Sequence, residues 1–219
     1  MNDRLFSWKS LYRVETGSGV YGELGPFRLS ARREACEWCL SFDRGGDPRR
    51  PTAFVEHPSD RTPEGDSTSR NFGFLDPPAE LRLTPALAAR PVVVSPEEPL
   101  LLPPREEATM YVSTPVWVKV AVGEPAVELV DEPSHRPSDT WFGGSTRDGE
   151  LCYAIRTPAT LENPRYAVHA HLALSVVNIR NRAGSVLEVE RVKLPSTNMS
   201  LFIASDGRLW TEEVRLTRE

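Results

Sequence analysis

Proline sets the first limit on what this chain can become. Twenty of its 219 residues are proline, spread from Pro26 to Pro195, against a usual share of about 5%. Lacking an amide proton and clashing with the preceding turn, proline is excluded from the interiors of helices and central strands. Most of these prolines must therefore punctuate loops, which favours many short strands over long helices.

The hydrophobic pattern agrees. Val116, Val118, Val120 and Val122 alternate with Trp117, Lys119 and Ala121, the period of a strand with one face in a core. Phe27, Leu29 and Ala31 alternate likewise, followed after a shift by Cys36, Trp38, Leu40 and Phe42; these read as two half-buried strands or one long bulged strand. Shorter strands are expected over 81–84, 91–95, 110–114, 126–130 and 151–156. The longest candidate spans 166–179, with Val168, Ala170, Leu172, Leu174 and Val176 on one side and His169, His171, Ala173 and Ser175 on the other. A closing hairpin turns at Asp206-Gly207, where glycine supplies a positive φ.

Two stretches read differently. Leu5, Trp8, Leu11 and Tyr12 are spaced by three and four, which predicts a short amphipathic helix. Residues 43–78 are rich in Gly, Pro, Asp, Ser and Thr and either form a partly mobile insertion or hide a short hairpin around Phe54 and another around Phe72; a surface excursion tethered by those aromatics is the favoured reading. Short strands with turns every eight to twelve residues or so indicate an all-β, antiparallel β-sandwich. Residues 1–90 are expected to form a smaller N-terminal β segment carrying the excursion, and 91–219 the main sandwich domain.

A formal net charge of -5 gives no global attraction to nucleic acid, so no such partner is expected. No run approaches the roughly 20 apolar residues of a membrane span, and the opening Met1-Asn2-Asp3-Arg4-Leu5-Phe6 lacks the order of a signal peptide. Cys36, Cys39 and Cys152 are an odd set in a chain long enough to bury a core without staples, which points to the reducing cytoplasm. Unpaired strand edges leave the chain open to a homodimer.

Candidate sites are few. Cys36-Glu37-Trp38-Cys39 has metal or redox spacing, but residues three apart on a strand face opposite ways and the two sulfurs diverge. His169 and His171 share one strand face, close enough for a metal to bridge them if His135 supplied a third ligand; solvated or inter-strand histidines are the plainer reading. Around Trp141-Phe142-Gly143-Gly144, an aromatic-glycine turn leads to Arg147 and Asp148. There Trp141 and Phe142 would anchor a recognition surface and Arg147 would donate in bidentate fashion; the alternative is that the aromatics cap the core while the charges are solvated. No nucleophile elbow, phosphate-cradling loop or zinc-protease helix occurs, so no catalytic residue, metal or cofactor is assigned.

Val20-Tyr21-Gly22-Glu23, Pro96-Glu97-Glu98-Pro99 with Leu102-Pro103, Phe142-Gly143 through Asp148-Gly149-Glu150-Leu151-Cys152-Tyr153, and the closing hairpin together resemble an uncharacterised prokaryotic family, domain of unknown function 432. The resemblance spans the chain apart from the first twenty residues and the 43–78 excursion. It implies no activity, cofactor or catalytic residue, and it implies a regulatory or accessory role, since such proteins tend to be encoded near small mechanosensitive channels. The expected function is a non-enzymatic module that binds a protein partner through loops or a sheet edge. One rival is a sandwich that binds carbohydrate or another small ligand, with Trp117 or Trp141 stacking on it. A second is a metal-dependent hydrolase built on His169 and His171.

Overall fold

The computed structural model describes residues 3–145, 147–157, 160–162 and 169–219. In chain order its elements begin with β1 (Asp3–Leu5), β2 (Leu11–Arg13), β3 (Ser18–Leu24), β4 (Phe27–Arg33), β5 (Glu37–Asp43), β6 (Ala53–Glu56), β7 (Thr68–Gly73) and β8 (Glu80–Ala86). Then come β9 (Val92–Pro96), β10 (Leu100–Leu102), β11 (Glu107–Pro115), β12 (Trp117–Val122), β13 (Val127–Pro133), β14 (Ser138–Phe142) and β15 (Glu150–Thr157). The chain closes with β16 (Leu172–Asn181), β17 (Leu187–Val189), β18 (Val192–Leu194), β19 (Leu201–Ile203), β20 (Leu209–Thr211) and β21 (Val214–Arg218). The protein is an all-β sandwich with mostly antiparallel pairing; β15 pairs with β9, and β16 with β20 and β21, in parallel. Among the described residues no helix is long and apolar enough to cross a membrane.

One compact unit takes Met1–Ala86, Val116–Arg136 and His169–His171. It holds a six-stranded sheet, β1-β6-β3-β4-β5-β7, and a four-stranded sheet, β13-β12-β8-β2. Alternation fills the core: Leu40 on β5, Leu29 on β4, Leu81 on β8, and Val118, Val120 and Val122 on β12 are all buried. Trp38 is buried too, and its indole N–H donates to the Pro78 carbonyl at 3.1 Å, which removes the penalty of an unmet buried donor. The outer strands β7 and β13 each turn one charge inward. Arg70 lies opposite buried Leu40 and Glu132 opposite buried Val118, and the two meet at 2.7 Å.

Two expectations for this unit are corrected. The opening residues form β1 and β2, not a helix. β2 gains a ladder beside β8 (Leu11↔Arg82, Tyr12↔Leu81, Arg13↔Glu80) that buries Tyr12 and leaves Leu11 exposed, so pairing with a distant strand overrides the local spacing. Of the two readings for residues 43–78, the favoured surface excursion gives way to strands at Phe54 and Phe72: β6 sits between β1 and β3, and β7 extends the same sheet beyond β5. Their partners are remote in sequence, which hides them from a composition reading.

The second unit takes Leu87–Pro115, Pro137–Val168 and Leu172–Glu219. Its sheets run β14-β15-β9-β18, β11-β16-β20-β19 with β21 also on β16, and β10-β17. Buried Val92, Val94, Leu174, Ile179, Leu194 and Leu209 contribute to its core. The predicted hairpin is present, with β19 antiparallel to β20 and Gly207 at φ 83°. The predicted long strand begins only at Leu172; Tyr166, Ala167 and Val168 lie outside the described residues, and His169–His171 precede the strand.

Candidate functional site

The aromatic-glycine turn joins β14 to β15, which pair from Ser138↔Ala154 to Phe142↔Glu150. β14 ends its sheet, so among the described residues its other edge has no strand partner. Trp141 and Phe142 are adjacent on this strand and therefore point to opposite faces. Trp141 is 45% exposed. Phe142 is half-buried, with the Arg191 guanidinium 5.5 Å and the Lys193 ammonium 5.6 Å from its ring centroid, close enough for the ring quadrupole to attract both cations. Arg191 Nη2 also donates to the Trp141 carbonyl at 2.9 Å and to Thr140 Oγ1 at 3.3 Å, while Lys193 pairs with Glu150 at 2.9 Å.

The turn has its own internal bonding. Ser145 Oγ donates to Asp148 Oδ2 at 2.9 Å and accepts from the Arg147 and Asp148 amides at 3.2 and 3.3 Å, and the Gly149 amide donates to the Ser145 carbonyl at 2.7 Å. Gly143 has φ 145°, and a Cβ there would sit 2.8 Å from the Gly149 Cα, so two backbones meet where no side chain fits. Asp148 is thereby held to its own loop. Arg147 is exposed and, among the described residues, has no ion-pair partner. The geometry thus brings Phe142, Arg191 and Lys193 to one face of β14, sets Trp141 on the other, and leaves Arg147 free at the strand's end.

The histidines do not lie solvated on a strand. His171 is 1% exposed and its ring stacks on that of His169, centroids 5.4 Å apart and planes 4° from parallel. Its Nε2 lies 3.2 Å from the Pro48 carbonyl and donates there, leaving Nδ1 without a protein partner. Gly25, at φ 59°, faces that nitrogen, and a Cβ there would run into the ring. Burial first, and then the neighbouring His169, pushes the imidazole pKa down to about 4, so the ring is neutral near pH 7. His135 is exposed. Among the described residues no three His, Cys, Asp or Glu side chains are placed to hold a metal ion, so the ligand set of the metal-dependent hydrolase is not assembled.

Other candidates also find their places. Cys36 is exposed, while half-buried Cys39 has its thiol pKa raised by desolvation and nearby Glu37, the opposite of a reactive thiolate. Trp117 is 5% exposed and has no face to offer a ligand. An open groove of about 610 Å³ lies along β11, β16 and β21. In it Thr109 Oγ1 donates to Asn178 Oδ1 at 2.6 Å, and both Asn178 Nδ2 and Arg215 Nε donate to Glu213 Oε1, at 2.7 and 2.6 Å. None of its lining residues is aromatic, so it lacks the stacking platform of a carbohydrate site.

Sequence reasoning missed Thr140, Arg191 and Lys193. The run from Val186 to Leu194 reads as a strand after the 180–185 turn, but nothing local ties that strand to β14, some fifty residues away. No curated protein and no solved structure matches the chain. The profile described as Protein of unknown function (DUF432) matches residues 10–219, and the chain belongs to that family.

Proposed function

We propose that this protein is a non-enzymatic interaction module, regulatory or accessory in role, that engages a protein partner at the free edge of β14. The observation that carries the reading is the exposure of Trp141 on a strand whose outer edge has no partner among the described residues. An unpaired edge offers main-chain donors and acceptors, and a large aromatic beside it supplies a specific anchor. The side chains of an added strand would line both faces beside β14, so the divergence of Trp141 and Phe142 suits an edge partner better than a flat one. The three free cysteines accord with a cytoplasmic setting.

A photo-crosslinking residue placed at Ser138, exposed at the start of β14, tests this in living cells. The expected result is one discrete protein adduct, lost on changing Trp141→Ala and Arg147→Ala together while the thermal melt is unchanged. Adducts that persist in the double variant would overturn the assignment of the surface.

A further inference from the structure

We infer that the occupant of the β14 edge is an extended segment in which acidic and apolar residues alternate, the acidic ones meeting Arg191 and the apolar ones Trp141. This rests on the edge reading above and names its partner. The two faces of β14 differ in chemistry. On the Phe142 face, Arg191 spends Nη2 on Trp141 O and Thr140 Oγ1, while Nε and Nη1 have no partner among the described residues. A guanidinium with spare donors, held over an aromatic ring, is positioned to accept a carboxylate side-on. The opposite face presents the Trp141 indole, a large apolar surface at low entropic cost.

Charge bookkeeping around the strand points the same way. Asp139 is paired with Arg90 at 3.1 Å, Glu150 with Lys193 at 2.9 Å, and Asp148 accepts from Ser145. Glu190 is exposed and forms no ion pair among the described residues. Among the described residues, Arg147 and Arg191 have no carboxylate within ion-pair distance. The unmet charge beside β14 therefore includes two guanidinium groups, one along the strand and one at its end. A strand laid against β14 sends successive side chains to alternate faces, so an acidic residue facing Arg191 obliges its neighbours to face Trp141. The result is a period-two recognition pattern, with a further acid toward Arg147.

A second copy of β14 does not satisfy this pattern. Its Phe142-face residues are Ser138, Thr140 and Phe142, none a carboxylate, and its single acid, Asp139, lies on the Trp141 face. The edge is thus poorly matched to itself and well matched to an acidic, extended stretch of another protein.

The test is selection from a displayed library of random linear peptides against the full chain, followed by fluorescence titration of the enriched sequences. Enrichment of alternating acidic and apolar residues is expected, with affinity falling about tenfold or more in Arg191→Glu and returning when the peptide's acid is exchanged for lysine. Arg191→Gln is the milder control should the charge reversal disturb folding. Peptides that bind through Trp141 without carboxylates, or that ignore Arg191→Glu, would sink the acidic pattern while leaving the edge reading intact. Binding unaffected by Trp141→Ala, or a library that yields no binder, would remove both.

Discussion

His171 shows how much one residue decides. Its imidazole is buried, gives one N–H to the Pro48 carbonyl and presses its other nitrogen toward Gly25, whose missing Cβ makes the room. Burial and the stacked His169 lower its folded pKa to about 4, against about 6.5 in an unfolded chain. A depressed folded pKa contributes stability that is fully present above pH 6.5 or so. That stability is lost as pH falls toward 4, because the unfolded state takes the proton first. That lowering of the pKa corresponds to roughly 3 kcal/mol at most. Urea midpoints measured from pH 7.5 down to 4.5 should therefore fall, and His171→Gln should flatten that slope. An unchanged slope in the variant would place the acid sensitivity elsewhere. The sequence showed the His169-Ala170-His171 pair but not its burial, since a histidine beside an alternating run reads equally well as surface.

At the scale of elements, two open edges account for two inward charges. β7 and β13 are outer strands of the two sheets in the first unit, and each carries an inward charge that discourages pairing with a foreign strand. Glu132 receives Arg70 at 2.7 Å and Arg44 at 2.6 Å, its side chain only 13% exposed, while Arg44 also lies over Phe27 and Phe42 at 5.6 Å. Glu132→Gln leaves two guanidinium groups without their carboxylate, and should cost about 1–3 kcal/mol in chemical denaturation, the exposure of Arg70 keeping it below the value for a fully buried pair. No loss would mean that solvent already screens the cluster. β14 carries no such inward charge: Trp141 is exposed on one face, and Arg147 and Arg191 have no ion-pair partner among the described residues, and the proposed binding edge rests on both.

For the whole molecule, the two compact units each have their own buried side chains, and each therefore has the means to open locally. Leu40→Ala removes a fully buried side chain from the first unit and should cost about 2–5 kcal/mol there. Hydrogen exchange read by mass spectrometry should accelerate in β4 and β5 and stay near wild type in β11 and β16. Equal acceleration in all four would show that the units unfold as one.

The division of labour between sequence and tertiary structure follows from the range of the interactions. Proline spacing, the valines of β12 and the Asp206-Gly207 turn depend on residues within a few positions of one another, so the all-β class and most strands were legible from the chain alone, as was the glycine turn before Arg147, though not β14, the strand on which Trp141 and Phe142 sit. Strand pairing is different, because a ladder is made with whatever lies alongside in space. The entry of β6 and β7 into the main sheet, the return of Val116–Arg136 to the first unit, and the seating of Arg191 over Phe142 all join residues dozens of positions apart. Local pattern carries no register between distant segments, and only the folded sheets decide which side chains meet.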